Sequence, residues 1–326
     1  MILAAGLGTR LRPVTDSRPK ALVEVAGRTL LEITLMRFRA FGINEVIINV
    51  HHFADMVVAY LKSHNDFAMR IAISREDDLL LDTGGGFKKA AWFFLEDFPR
   101  ATAQESRTGS VIPSAGGDAR AATRSKSDQK TAPSGSPDDS FLLHNVDVIS
   151  TIDFRRMLQF HNERGALATL AVQSRKSSRL LLFNDQLELV GRATPGAAAT
   201  KDGVIPSEAR DPGNVSAQLK SDQAVAAGST DCHPERNDES FFPFRSSIAT
   251  RHPPLSLAFS GIHIVSPRLL PMLTEEGAFS IIDAYLRLAA QGEKILAFRA
   301  DEYYWRDLGR PADLAQAALD LQQRSL

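Results

Sequence analysis

A chain of 326 residues can bury a substantial core, in one large domain or two. Its 38 Lys and Arg nearly cancel its 39 Asp and Glu, which leaves no basic footprint for nucleic acid and no polybasic patch for a membrane surface. The single cysteine, Cys232, excludes an internal disulfide and a cysteine-based metal site and suits a reducing compartment. No apolar run approaches the roughly 18 residues of a membrane span. The apolar start, Met1 to Ala5, is too short for a secretory signal and lacks its basic lead-in. The expectation is a cytoplasmic protein of one domain, residues 1–326, with no nucleic-acid or membrane partner and an oligomeric state left open. The abrupt opening on a strand leaves room for a few native residues ahead of Met1.

The first element is that short apolar strand, and it runs straight into Gly6-Leu-Gly-Thr-Arg-Leu-Arg-Pro13 and on to Arg18-Pro-Lys20. Gly6 and Gly8 let backbone N–H groups approach an anion closely. Arg10 and Arg12 add forked donors and Lys20 a compact charge. Such a loop suits a polyphosphate. It is not a Walker loop, whose spacing is absent, nor a dinucleotide fingerprint, which needs a third glycine where Leu11 stands.

Further along, Leu31, Leu35 and Phe38 share a helical face, with Gly42 placed as its C-terminal cap. Glu45 to Val50 reads as a buried parallel strand. Phe53, Val57 and Leu61 mark a second helix, and Met69 to Ile73 another strand. This β-α-β-α-β order predicts an α/β fold, a doubly wound, mostly parallel Rossmann-like sheet with helices on both faces. Phe141 to Ile149 resumes the strand pattern, with Asn145 to Asp147 ending a buried strand, Asp153 caps a helix running to about His161, and Leu167 to Val172 is apolar again. After the second stretch of irregular composition order returns with the apolar run Leu257 to Val265, a helix after Ser280, a strand near Ile295 to Phe298, and a helix opened by Pro311.

Two stretches break the rhythm, residues 100–140 and 196–254. Both are aperiodic and rich in small and charged residues, so both are expected to be disordered loop insertions. Val111-Ile-Pro-Ser114 recurs as Val204-Ile-Pro-Ser207, and Lys126-Ser-Asp-Gln129 as Lys220-Ser-Asp-Gln223. That points to one mobile sequence element landing twice in surface loops that tolerate length. A duplicated interaction motif is the alternative.

The run A-A-G-x-G-T-R-x-R-P-x-T followed by R-P-K resembles the signature of the sugar-1-phosphate nucleotidyltransferases, and the resemblance extends over the chain outside the two insertions. Leu81-Asp-Thr-Gly-Gly-Gly86 is similar to the segment that receives base and ribose, most of all in the N-acetylmuramate-1-phosphate uridylyltransferases; mannose-1-phosphate guanylyltransferases share the loop. The resemblance implies a nucleotide site of Ala4, Ala5, Gly6, Gly8, Thr9, Arg10, Thr83, Gly84 and Gly85, with Arg10 and Lys20 as catalytic cations. Asn145-Val-Asp147 resembles the family's N-G-D, with Val146 where glycine is usual, and Trp305-Arg-Asp307-Leu-Gly309-Arg-Pro311 resembles W-x-D-x-G-T-P. Both aspartates are implied to hold magnesium as the cofactor, a hard cation that takes one or two carboxylates. Asn145 and Gly261, the last in a loop Phe259 to Ile262, are implied to face the sugar phosphate, and Arg179, ahead of the apolar run Leu180 to Phe183, is placed to present a guanidinium to it. The histidines are read as structural.

The activity implied is transfer of a nucleotidyl group from an NTP to a sugar 1-phosphate, releasing pyrophosphate. UTP with N-acetylmuramate 1-phosphate is favoured, and GTP with mannose or heptose 1-phosphate is second. The alternative is a catalytically silent nucleotide- or sugar-nucleotide-binding sensor or regulatory subunit.

Overall fold

The structure is a computed structural model and describes residues 1–95, 140–193 and 253–324. Most of both insertions lies outside these residues, and so do Cys232 and the repeated motifs. In chain order the first part holds β1 (Ile2–Leu3), β2 (Glu24–Val25), β3 (Arg28–Thr29), α1 (Leu30–Ala40), β4 (Glu45–Val50), α2 (Ala54–Ser63), β5 (Arg70–Arg75), α3 (Asp82–Lys89) and α4 (Trp92–Leu95). The middle part holds β6 (Phe141–Asn145), β7 (Val148–Ser150), α5 (Phe154–Arg164), β8 (Ala168–Gln173), β9 (Leu180–Phe183) and β10 (Leu189–Arg192). The last holds β11 (Leu255–Val265), α6 (Ile281–Ala290), β12 (Ile295–Arg299), β13 (Trp305–Asp307) and α7 (Pro311–Arg324).

The central strands are parallel, in the order β6-β1-β4-β5. Their sequences explain the position: Val46, Ile47 and Ile48 on β4 are fully buried, as a strand covered on both faces requires. The long strand β11 extends the sheet, antiparallel to β6, and then forks to pair with both β8 and β9. β12 joins β8 in parallel. One apolar layer gathers Leu31, Leu35, Phe38 and Val57 from α1 and α2; the other gathers Phe87, Ala284, Tyr285 and Leu288 from α3 and α6. Helices therefore cover both faces.

The helix boundaries follow local chemistry. Thr29 Oγ1 accepts from the Glu32 amide at 3.1 Å to start α1, and Gly42 closes it with φ +83°. Asp153 accepts from the amides of Arg155 and Arg156 to start α5. Ser280 accepts from the Ile282 amide ahead of α6.

One expectation is refined and one corrected. The strand pattern of Phe141 to Ile149 divides where Asn145 to Asp147 is expected to end a strand: β6 ends at Asn145, a turn spans Val146 and Asp147, and β7 leaves the main sheet to pair with β13. Phe259 to Ile262 is not a loop but the middle of β11, where the pairing with β8 slips between Phe259 and His263. Gly261 sits in that bulge at φ +72°, a conformation that L side chains seldom adopt.

Candidate active site

The carboxyl ends of β1 and β6 meet a cleft of about 310 Å³, lined by Leu3, Ala5, Gly6, Lys20, Asn49, Leu80, Asp82, Thr83 and Asn145 to Asp147. This is where ligands collect in open α/β sheets. A second cavity, of about 330 Å³, lies at the opposite ends of the same strands, against Met1 and Phe141, and is walled mainly by Phe and Leu. Among the described residues, the first brings the Gly6 backbone and the Lys20–Asp147 ion pair together.

The loop expected to hold phosphate turns on Gly8. Its φ of +65° and the closeness of Thr15 and Lys20 leave no room for a side chain: a Cβ would stand 3.0 Å from Thr15 Cγ2 and 3.2 Å from Lys20 Cβ. Thr15 Oγ1 donates to the Gly8 carbonyl at 2.9 Å, and the Leu11 amide to the same oxygen at 2.8 Å. Gly6 faces open space. Thr9 and Arg10, on the same loop, are both exposed.

Lys20 and Asp147 form a direct ion pair in the cleft, with side chains only 11% and 18% exposed. The turn after β6 carries Asp147 there. Val146, in place of the expected glycine, is 3% exposed and packed in the core, and its amide donates to the Leu3 carbonyl at 3.1 Å. Asp307 approaches from β13, beside β7, and the Leu308 amide donates to the Asp147 carbonyl at 2.8 Å. Arg10 lies 3.9 Å from the Asp307 carboxylate. Burial, then the charge of Asp147, raise the Asp307 carboxyl above its ordinary range, against Lys20 and Arg10. Its Oδ1 is shut from solvent and has no hydrogen-bond partner.

That orphaned oxygen bears on magnesium. Two carboxylates of hard oxygen, one with an unspent buried lone pair and the other neutralised by a lysine, fit a cation that also draws ligands from phosphate and water. No cluster of three or more His, Cys, Asp or Glu among the described residues offers a competing all-protein cage.

The glycine run behaves differently from the expectation. Gly84 and Gly85 do not line the cleft. Both amides donate to the Phe279 carbonyl, at 2.9 and 3.3 Å. A Cβ on Gly84 would collide with the Phe279 ring, and one on Gly85 with the Gly277 carbonyl. The run is glycine so that α3 can pack against the segment before α6, and what faces the cleft is its leading edge, Leu80, Asp82 and Thr83. Ala4 likewise is turned to the protein: its amide donates to Asn49 Oδ1 at 2.8 Å.

Of the residues expected to face a sugar phosphate, Asn145 lines the cleft, and its Nδ2 would lie 2.9 Å from a Cβ on Gly261. Arg179 does not join them. It is exposed, and its amide donates to Ser177 Oγ at 3.1 Å. The arginine packed on β13 is Arg175, whose guanidinium lies 3.8 Å over the Trp305 ring and donates from Nη2 to the Phe259 carbonyl at 2.7 Å. Trp305 is itself fixed by Nε1 donating to the Ser260 carbonyl at 2.7 Å. Arg175 Nε is buried without a partner, and burial lowers the guanidinium pKa while Asp307 raises it. Arg175, Asn49 and Asp82 escape a reading of motifs; only Asn49, a lone amide in the apolar run of β4, carries a sequence signal.

Residues 1–104 match the model of the Nucleotidyl transferase family, NTP_transferase. The N-acetylmuramate alpha-1-phosphate uridylyltransferase of Caulobacter vibrioides is 52% identical over 92 residues, 28% of this chain and 38% of that one. The UTP–glucose-1-phosphate uridylyltransferase of a Synechocystis species is 27% identical over 174 residues, 53% of this chain and 37% of that one. The matched part thus spans under two fifths of either curated relative. A solved UDP-glucose pyrophosphorylase from Acinetobacter baumanii shares the fold with a TM-score of 0.60 at 15% identity, over 100% of this chain and 94% of that one. No helix among the described residues is long and apolar enough to cross a membrane. Residues 1–104 therefore match the model of a nucleotidyl transferase family, and the chain shares the fold of the solved UDP-glucose pyrophosphorylase.

Proposed function

We propose that the chain is a magnesium-dependent sugar-1-phosphate nucleotidyltransferase, converting an NTP and a sugar 1-phosphate into an NDP-sugar and pyrophosphate. UTP and N-acetylmuramate 1-phosphate are the favoured pair, because the Caulobacter relative, 52% identical over its matched segment, bears that name. The observation that carries the reaction class is the meeting of Lys20 with Asp147 beside Gly6, with Asp307 and Arg10 next to them. Such a set joins two phosphates to each other through cations.

An oxygen of the sugar phosphate attacks the α-phosphorus of the NTP. The bond from that phosphorus to the α–β bridging oxygen breaks, and pyrophosphate leaves with the electron pair. No protein nucleophile is called for, and the cleft lining holds no serine, cysteine or histidine. The protein's part is position and charge. The Gly6–Gly8 backbone cradles the triphosphate, Arg10 neutralises the departing pyrophosphate, and Lys20 draws the two reacting phosphates together. Asp147 and Asp307 would hold magnesium, which when bound offsets the repulsion between the phosphates. Arg175, fixed on Trp305, takes the place expected for Arg179 and meets the anionic side of the sugar substrate.

A panel of sugar 1-phosphates crossed with four NTPs, read by pyrophosphate release with magnesium and with EDTA, tests this. Release is expected with UTP and an amino-sugar acid 1-phosphate, and none with EDTA. Release with GTP and mannose 1-phosphate would change the specificity and keep the reaction. No release from any pair would overturn the assignment.

A further inference from the structure

Between the phosphate loop and the leading edge of α3 lies a buried polar chain that the reaction does not use. Glu76, just past the end of β5, is fully buried. Its Oε1 accepts from Asn49 Nδ2 at 2.7 Å, and its Oε2 accepts from the Leu81 amide at 2.9 Å. Asn49 Oδ1 in turn accepts from the Ala4 amide at 2.8 Å. Three hydrogen bonds therefore run in one line from Ala4, which leads into the phosphate loop, to Leu81, which leads into Asp82 and Thr83. Even α3 makes room for it: a Cβ on Gly86 would stand 2.6 Å from Glu76 Oε1 and 2.7 Å from Asn49 Nδ2.

A buried carboxylate is costly unless its oxygens are hydrogen-bonded. Here each oxygen takes one N–H, and no cation is paired with it among the described residues. An apolar pair would fill the space without that cost, but it would not fix both loops to one point. We propose that Asn49 and Glu76 are positioning residues that hold the phosphate loop and the base-side edge of α3 at one separation, so that a nucleotide is gripped at both ends together. The proposal rests on the nucleotide-binding reading given above.

The direction of each bond makes it testable by a swap. In Glu76→Gln the new amide must face either Asn49 Nδ2 or the Leu81 amide, and if Asn49 flips, its amide meets the Ala4 amide. One pair of donors is opposed in every arrangement. Asn49→Asp alone sets two carboxylates against each other. In the double variant N49D/E76Q, the carboxylate introduced at position 49 would accept from Ala4 and from the new side-chain amide at position 76. The oxygen of that amide would accept from Leu81, so all three bonds return with the same buried charge.

UTP affinity with magnesium is measured by titration calorimetry on the full chain. Each single variant is expected to weaken binding about tenfold, the scale of one unsatisfied buried group, and the double variant to bind within about threefold of wild type. Folded single variants that bind UTP as wild type does, or a double variant no tighter than the singles, would overturn the proposal. Should the singles not fold, hydrogen exchange of the wild type decides: UTP must slow exchange at the Ala4 and Leu81 amides together, and slowing at only one overturns it. If the wild type binds none of the four NTPs, the nucleotide reading fails. The link between the loops is then read separately, from whether Glu76→Gln speeds exchange at Ala4 and N49D/E76Q restores it.

Discussion

Asp147 and Asp307 stand on the two strands of a small ribbon, β7 with its preceding turn and β13, held together by backbone pairing rather than by either carboxylate. Alanine at either is expected to cut turnover by about 10²-fold or more, the scale of one lost preorganised charge. Folding should survive, and steady-state rates at saturating magnesium check it; near-normal turnover would remove the carboxylate from the metal site. Lys20 is held by Asp147 before substrate arrives, and its proposed phosphates come together only during reaction. Lys20→Ala should therefore lower kcat more than it raises the KM for NTP; a change confined to KM would make Lys20 a simple binding residue. For the sugar side the comparison is between two arginines. Arg175→Ala should raise the KM for the sugar 1-phosphate by about tenfold, the scale of a charge-assisted hydrogen bond, while Arg179→Ala leaves it unchanged. The opposite ranking would return the role to Arg179.

At the scale of an element, the close contact of α3 with the Phe279 segment and of α5 with β8 make different demands. Gly84→Ala drives a methyl into the Phe279 ring, an overpacking that should cost about 1–3 kcal/mol, read as a lower Tm before any effect on nucleotide affinity. On α5, His161 Nδ1 pairs with Thr169 Oγ1 of β8 at 2.9 Å. Burial first, then Arg268, lower its pKa from 6.5 to about 4. Burial also lowers His144 and His263 to about 3. The folded state thus refuses protons that the unfolded chain takes up below pH 6.5. Stability is full above that pH and falls as pH drops toward 4, by about 1.4 kcal/mol per pH unit for each such histidine. Urea unfolding at a series of pH values should show His161→Gln with a shallower fall than wild type; equal slopes would mean that His161 is not held neutral.

For the whole molecule, the ends of both insertions can be joined. Phe94 and Phe141 pack ring to ring, with centroids 4.2 Å apart, so the described chain on either side of the first insertion is close in space. Around the second, the Ala193 amide donates to the Leu180 carbonyl and Leu255 pairs with Phe183, so the two ends flank β9 from opposite ends. That span is about 15 Å on strand spacings, within reach of roughly six residues. Replacing residues 100–138 and 198–252 by short Gly/Ser bridges should keep fold and turnover, since loop-closure entropy changes slowly with length. Limited proteolysis of the intact chain should cut first at sites such as Arg120, Arg124 or Arg210. A chain shortened at 198–252 that folds but no longer turns over sugar phosphate would show that the segment serves the site.

The sequence by itself determined the parts of the molecule whose cause is local. The apolar run of β4, the caps at Asp153 and Ser280, the turn at Gly42 and the glycine–arginine loop all follow from residues within a few positions of each other, and so does the match of residues 1–104 to a nucleotidyl transferase model. The pairing of residues far apart was decided only by the tertiary structure. Val146 and Asp147 turn the chain out of the sheet because β7 finds its partner in β13, more than 150 residues later. Gly84 and Gly85 are glycine because of Phe279 and Gly277, which no motif places beside them. Arg175 rather than Arg179 packs on β13, because Trp305 lies under its guanidinium. Asn49 and Glu76 acquire their meaning from Ala4 and Leu81 at once. Periodicity and turn chemistry are written in neighbours along the chain, whereas a hydrogen bond across the fold depends on which strands lie side by side.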